Sequence, residues 1–192
     1  MTITWLGGST IELHSKKQTA LLNPSSKASR KNAQIIIYDR TDEKHELAED
    51  SLMVDWPGEY DVSGFSFRGI ESQGKKGVTI AYTFHTSAGN VAWMGEMGEY
   101  PSEDFIEALG EVHVLIVPVG DKDVLKAKDA FRLVEALEPF VVIPICYGDE
   151  REGLQPFIKE MEVTHPEAKK SFELKKSVFG EEQLELVILE PS

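Results

Sequence analysis

The sequence predicts an α/β fold, and three observations carry that reading. Short apolar or alternating runs broken by Gly, Pro, Asn and Ser fill the chain up to about residue 100. Beyond that point a helical period appears, flanked by two strand-length runs that are apolar almost throughout. The chain has 192 residues, 41% of them hydrophobic, which is enough to bury one sizeable core.

The first third reads as a meander of short strands over residues 3–6, 10–13, 19–22 and 35–38. Further β-runs follow over 60–70, interrupted at Gly64, then 78–83 and 91–94. The last two are separated by the turn-like Ser87, Ala88, Gly89 and Asn90, so antiparallel pairing is expected.

Ser102 is placed to cap a helix whose first turn carries Glu103 and Asp104. Phe105, Ile106 and Leu109 form its stripe and Gly110 ends it. Residues 113–119 are nearly all apolar, as in a strand covered on both faces. Ala127, Ala130, Phe131, Val134 and Leu137 recur at helical spacing, and residues 141–145 form a second buried strand. An amphipathic segment over 154–161 and a closing strand over 184–189 complete the chain. No repeat, linker or low-complexity tract divides it, so one domain over 1–192 is expected.

There are 33 acidic and 20 basic residues, a formal charge of −13. Such a field repels phosphate backbones and anionic headgroups, so neither nucleic acid nor a membrane surface is an expected partner. Solubility is the plainest account of the charge. Residues 1–6 carry no basic segment followed by an apolar stretch, and no window approaches the roughly 20 apolar residues that span a bilayer. A cytoplasmic location is the expectation, and the single cysteine, Cys146, agrees with a reducing compartment.

The five histidines, His14, His45, His85, His113 and His165, include no pair at metal-ligand spacing. No C-x-x-C, G-x-S-x-G or phosphate-binding Gly loop occurs. Composition and spacing alone therefore reveal no catalytic constellation. His113, opening a strand, reads as structural, as does Glu59 at a strand start. Trp5, Trp56 and Trp93 fall in or beside β-runs, where core packing is expected.

A series of segments nonetheless follows a known order: Thr4-Trp5-Leu6-Gly7-Gly8-Ser9, Leu21-Leu22-Asn23-Pro24, Ile35-Ile36-Ile37-Tyr38 with the polar run after it, Pro57-Gly58-Glu59-Tyr60, Met94-Gly95-Glu96, and Ile143-Pro144-Ile145-Cys146-Tyr147. They resemble the small Zn-dependent hydrolases of the metallo-β-lactamase superfamily, in the branch similar to ascorbate-phosphate lactonases. In that family the opening reads like W-L-G-H-S, the second segment ends in I-D-P, a strand leads into T-H-x-H-x-D-H, and later segments read G-D and I-P-x-H-Y. The resemblance implies an αββα sandwich in a compact version.

It also implies a metal site, and there this sequence departs from the pattern. Laid without gaps, T-H-x-H-x-D-H falls on residues 38–44, so that Asp39, Thr41 and Lys44 stand where the family has histidines and Glu43 where it has aspartate. A shift of one brings His45 to the last histidine but leaves Arg40, Asp42 and Lys44 at the other ligand positions. Gly8 replaces the opening histidine, Glu96 the aspartate of G-D and Cys146 the late histidine, and nothing before Gly77 matches the histidine expected after residues 65–70.

Zinc hydrolases need about three protein ligands and an open position for water. The expectation is accordingly a relative that holds no metal cofactor and uses the fold as a scaffold to bind a small molecule or a protein. Its cleft would be lined by Asp39, Arg40, Thr41, Glu43, Lys44, His45, Glu96 and Cys146. The alternative is a divergent hydrolase of a phosphorylated or lactone-like small molecule, with zinc or another divalent metal held by a rebuilt site of Glu43, His45, Glu96 and Cys146. The natural ligand and the oligomeric state are not legible in the sequence.

Overall fold

Alternation of burial along the first strands divides their side chains between two faces. The computed structural model describes all residues except 17, 25–32, 42–50, 75–76, 121–122, 149–152, 164–165, 167 and 177–183. Strands β1 (Thr2–Trp5), β2 (Ile11–Ser15), β3 (Gln18–Leu22), β4 (Ile35–Ile37) and β5 (Leu52–Val54) join β13 (Phe172–Glu173) in a six-stranded sheet of order β13, β1, β2, β3, β4, β5. Ile3, Trp5, Leu13, Leu22, Ile35 and Ile37 enter the main core, while Leu21, Ile36 and Tyr38 belong to a smaller cluster.

The expected meander holds only through β3. Strand β4 runs parallel to β3, and β5 runs parallel to β4. A parallel pair needs a crossover of roughly a dozen residues, and the segments 23–34 and 38–51 are long enough to supply one. Strand β5 itself has no counterpart in the sequence reading.

Strands β6 (Gly58–Val62), β7 (Phe65–Gly74), β8 (Gly77–Thr86) and β9 (Gly89–Trp93) pair antiparallel, as expected. Ser63 and Gly64 make the first turn with φ of 47° and 76°, the two positive values that a type I′ hairpin requires. Strands β10 (Val114–Pro118), β11 (Val141–Ile145) and β14 (Glu185–Leu186) extend this sheet in parallel, giving the order β14, β11, β10, β9, β8, β7, β6. Every residue of β10 and β11 is buried, which explains their unbroken apolarity. The closing strand expected over 184–189 is split, because β15 (Ile188–Leu189) leaves β11 to pair with β12 (Ala168–Lys169).

The two sheets meet across a ladder of aromatics. Phe67 stacks on Phe84 at 5.1 Å between centroids, and Tyr82 stacks on Trp93 at 6.2 Å. Tyr82 Oη donates to Tyr38 O at 3.1 Å, so this face of β8 looks toward the six-stranded sheet. On the opposite face Arg68 donates to Ala108 O in helix α1 (Glu103–Leu109). Ser102 Oγ accepts the Phe105 amide at 3.3 Å, and Gly110 closes the helix at φ 67°, as the sequence predicts. Helix α2 (Ala127–Leu137) packs on β10 and on α3 (Leu154–Glu160), so the described helices all lie on the seven-stranded side.

His113 is structural: Nδ1 accepts the Asn90 amide at 3.2 Å and the ring stacks on Phe140. Trp5 and Trp93 are core residues, but Trp56 is 63% exposed. It stands in the link between β5 and β6, which are edge strands of the two sheets, so no third layer covers it. Among the described residues no helix is long and apolar enough to cross a membrane.

Candidate functional site

Strands β3 and β4 in one sheet and β9, β10 and β11 in the other end on the same side of the sandwich. Crevices beyond the carboxyl ends of parallel strands are the usual binding positions of α/β sheets. Asn23 follows β3, Asp39 and Arg40 follow β4, Glu96 follows β9 and Cys146 follows β11. The turn between β1 and β2 brings Gly8 and Ser9 to the same place, with Gly8 O accepting both Trp5 Nε1 at 2.8 Å and the Cys146 amide at 3.2 Å.

Asp39 is the deepest of these groups, 3% exposed. Its Oδ2 accepts the Glu96 amide at 2.5 Å, its own amide donates to Asn23 Oδ1 at 3.1 Å, and its carbonyl accepts the Ile80 amide at 2.7 Å. Burial pushes the Asp39 carboxyl up to about 6; hydrogen bonds from Glu96 and Asn23 oppose the rise, the Glu96 charge adds to it, and Arg40 lowers it. Gly95 permits this approach. At φ +58° it takes a left-handed turn, and a Cβ there would lie 2.7 Å from Asp39 Cβ.

Glu96 is held from two sides. Ser9 Oγ donates to Oε1 at 2.9 Å, and Arg40 Nη2 lies 3.6 Å from Oε2. The Arg40 side chain is 14% exposed and that of Glu96 44%. Asn23 Nδ2 donates to Ser9 Oγ at 3.3 Å, closing a chain of contacts Asp39, Asn23, Ser9, Glu96, Arg40.

These residues border two clefts. One of ≈ 360 Å³ is lined by Ser9, Thr10, Asn23, Asp39, Arg40 and Glu96 among others. A second of ≈ 480 Å³ shares Gly7, Gly8, Ser9 and Glu96 with it and adds Trp5, Asp123, Cys146 and Tyr147. Cys146 is half-buried with φ 62°, and burial, followed by the charges of Glu96 and Asp39, pushes its thiol up.

Of the residues expected at the site, Asp39, Arg40, Glu96 and Cys146 converge. Thr41 is half-buried and lines neither cleft. Glu43, Lys44 and His45 lie outside the described residues, as does His165. Ser9 and Asn23 were not expected, although both stand in segments that carried the resemblance, each at the end of a strand or turn. Asn23 occupies the position where the family reads aspartate in I-D-P.

The family pattern described as a beta-lactamase superfamily domain matches residues 2–146. The chain belongs to that superfamily. A UPF0173 protein of Pyrococcus furiosus is 36% identical over 73 residues, covering 38% of this chain and 34% of that one. A UPF0173 metal-dependent hydrolase of Methanosarcina barkeri is 30% identical over 88 residues, covering 46% and 35%. The chain spans about a third of the length of these curated relatives in the matched regions.

Among solved structures, a protein of Thermotoga maritima described as a Zn-dependent hydrolase of the metallo-β-lactamase superfamily superposes with TM-score 0.79 at 24% identity, covering 98% of each chain. The metallo-β-lactamase fold protein YhfI of Bacillus subtilis superposes with TM-score 0.68 at 10% identity, covering 100% of this chain and 96% of that one. The α/β sandwich inferred from the sequence is therefore the metallo-β-lactamase fold.

Whether this superfamily member's donors suit a metal can be judged from their own contacts. Among the described residues no three His, Cys, Asp or Glu side chains come close enough to hold one. Asp39 directs Oδ2 at a backbone amide, and Arg40 sets a cation beside Glu96. The described donor set does not fit a hydrolytic zinc site.

Proposed function

We propose that this chain is a non-catalytic member of the superfamily that uses the crevice at the strand ends to bind a small molecule. The observation that carries the reading is the Arg40–Glu96 contact at 3.6 Å above a buried Asp39 that is bonded to backbone. A guanidinium there supplies the positive charge that balances Glu96, so the pair is compensated without a divalent ion. Fold persists through packing when site chemistry changes, and the buried strands β10 and β11 make no demand on a metal.

The test is elemental analysis of untagged protein purified without chelator and then incubated with zinc, manganese and iron. We expect no stoichiometric metal. Metal retained by the wild type and lost in Glu96→Ala or Cys146→Ser would overturn the proposal.

A second reading is a divergent metal-dependent hydrolase of a phosphorylated or lactone-like small molecule, acting through a reorganised site. What favours it is that a relative 30% identical over 88 residues is described as a metal-dependent hydrolase. Its check is turnover of simple esters and phosphodiesters with each metal, where activity abolished by chelator would support it and its absence across all three metals would reject it.

A further inference from the structure

Strand β6 ends the seven-stranded sheet, with β7 on one side and no described strand on the other. The turn at Ser63 and Gly64 makes Val62 and Phe65 the closing pair of a two-residue hairpin, and such a pair exchanges both backbone bonds. Alternation along the ladder gives Tyr60 and Gly58 the same role. The N–H and C=O groups of Glu59 and Asp61 therefore point away from β7, and they have no partner among the described residues.

Beside this open edge stands Trp56, 63% exposed. Its carbonyl accepts Tyr60 Oη at 2.8 Å and lies 3.4 Å from Tyr82 Oη, and Pro57 fixes the next φ, so the ring is displayed from a backbone tied to the core. Burying an aromatic held in this way costs little backbone ordering, as suits an interface anchor. Leu52, 45% exposed, stands on β5, the edge strand of the other sheet.

The charge of the edge is one-sided. Asp55, Glu59 and Asp61 enter no ion pair among the described residues. Glu59 and Asp61 are exposed and face a groove of ≈ 470 Å³ between the sheet and the end of α1, which Ser66, Arg68 and His85 also line. The basic side chains of that groove turn elsewhere. Arg68, opposite Glu59 in register, donates to Ala108 O, and His85 Nδ1 faces Asn90 Oδ1 at 3.2 Å.

We infer that β6 receives an extended, basic segment of another protein as an added antiparallel strand, with Trp56 as its apolar anchor. The backbone of that segment bonds the outward groups of Glu59 and Asp61, and its residues opposite these two are Lys or Arg, whose charged ends reach the groove. A second copy of this chain does not fit. Antiparallel self-pairing centred on Tyr60 would set Glu59 against Asp61 twice, and like charges directly opposite destabilise a strand pair. The inference goes beyond the crevice and stands whether or not the crevice holds a metal.

The test titrates the full chain with three short peptides: alternating lysine and valine, the same sequence N-methylated at the lysine backbone amides, and alternating glutamate and valine. Calorimetry gives the affinities, and hydrogen exchange reads the Glu59 and Asp61 amides. We expect the lysine peptide to bind about tenfold more tightly than either control and to protect both amides. Trp56→Ser should weaken it by about tenfold. Glu59→Gln combined with Asp61→Asn should remove the preference for lysine over glutamate, whereas Glu135→Gln, on the exposed side of α2, should leave it intact.

Equal binding of the N-methylated peptide, or amides that stay unprotected, would reduce the site to charge attraction and overturn the added strand. Unchanged affinity in Trp56→Ser would remove the anchor. A dimer seen by light scattering and dissolved by Trp56→Ser would overturn the choice of partner and give the edge to a second copy.

Discussion

The Glu96 amide donates to Asp39 Oδ2 at 2.5 Å, tying the end of a strand in the seven-stranded sheet to the end of one in the six-stranded sheet. The bond lies where the Asp39 carboxyl is almost fully buried and raised to about 6 from an ordinary 3.8. The folded state therefore keeps a proton that the unfolded state releases earlier. The contribution is complete below about 3.8 and is lost as pH rises through about 6. Asp39→Asn should remove this slope, changing the stability gap from wild type by on the order of 2 kcal/mol between pH 4 and 7. Urea unfolding at four pH values reads the gap directly, and parallel pH profiles for the two proteins would contradict the assignment.

Gly95 is the backbone position that lets Asp39 in. Gly95→Ala should cost about 2–4 kcal/mol, since strain at φ +58° adds to a Cβ 2.7 Å from Asp39 Cβ. Gly148→Ala, at φ +73° with nothing within 4 Å, carries backbone strain without the contact and should cost about 1 kcal/mol. Thermal melts of both variants separate contact from conformation, and equal losses would assign the whole effect to the backbone.

Cys146 should resist alkylation. Burial, with Glu96 and Asp39 adding to it, keeps the thiol neutral, and the thiolate is the species that reacts. Iodoacetamide at pH 8, followed by mass spectrometry, should label the native protein far more slowly than protein in urea. Glu96→Gln should speed the native reaction by removing one of the two nearby charges. Labelling at the rate of a free thiol would show the sulfur to be open.

Ser9 and Glu96 should be energetically coupled. Removing the hydroxyl in Ser9→Ala leaves Oε1 without its donor, and a double-mutant cycle with Glu96→Gln should return a coupling of about 0.5–1.5 kcal/mol. A coupling near zero would mean that water replaces the hydroxyl at no cost.

The elements legible in the sequence were those whose burial or capping leaves a local signature. Strands β10 and β11 are apolar because both faces are covered, and α1 is bounded by Ser102 and Gly110, whose roles are set by the helix ends themselves. Strand β5 was missed because three residues show no period, and β12 and β13, at two residues each, show even less. The parallel course of β4 depends on what its crossovers do, which apolar alternation does not encode.

The site was legible in part, for a similar reason. Asp39, Arg40, Glu96 and Cys146 stand out because they replace expected ligands. Ser9 and Asn23 matter through contacts spanning 87 and 14 residues of chain, and nothing in their own surroundings announces such partners.

The three tryptophans occupy three unlike surroundings: Trp93 is sealed in the core, Trp5 borders the ≈ 480 Å³ cleft and Trp56 is 63% exposed. Their emission is consequently a built-in spectroscopic map. Acrylamide should quench Trp56 first, a ligand bound in the crevice would perturb Trp5, and a red shift of Trp93 would mark the moment at which the sheets part.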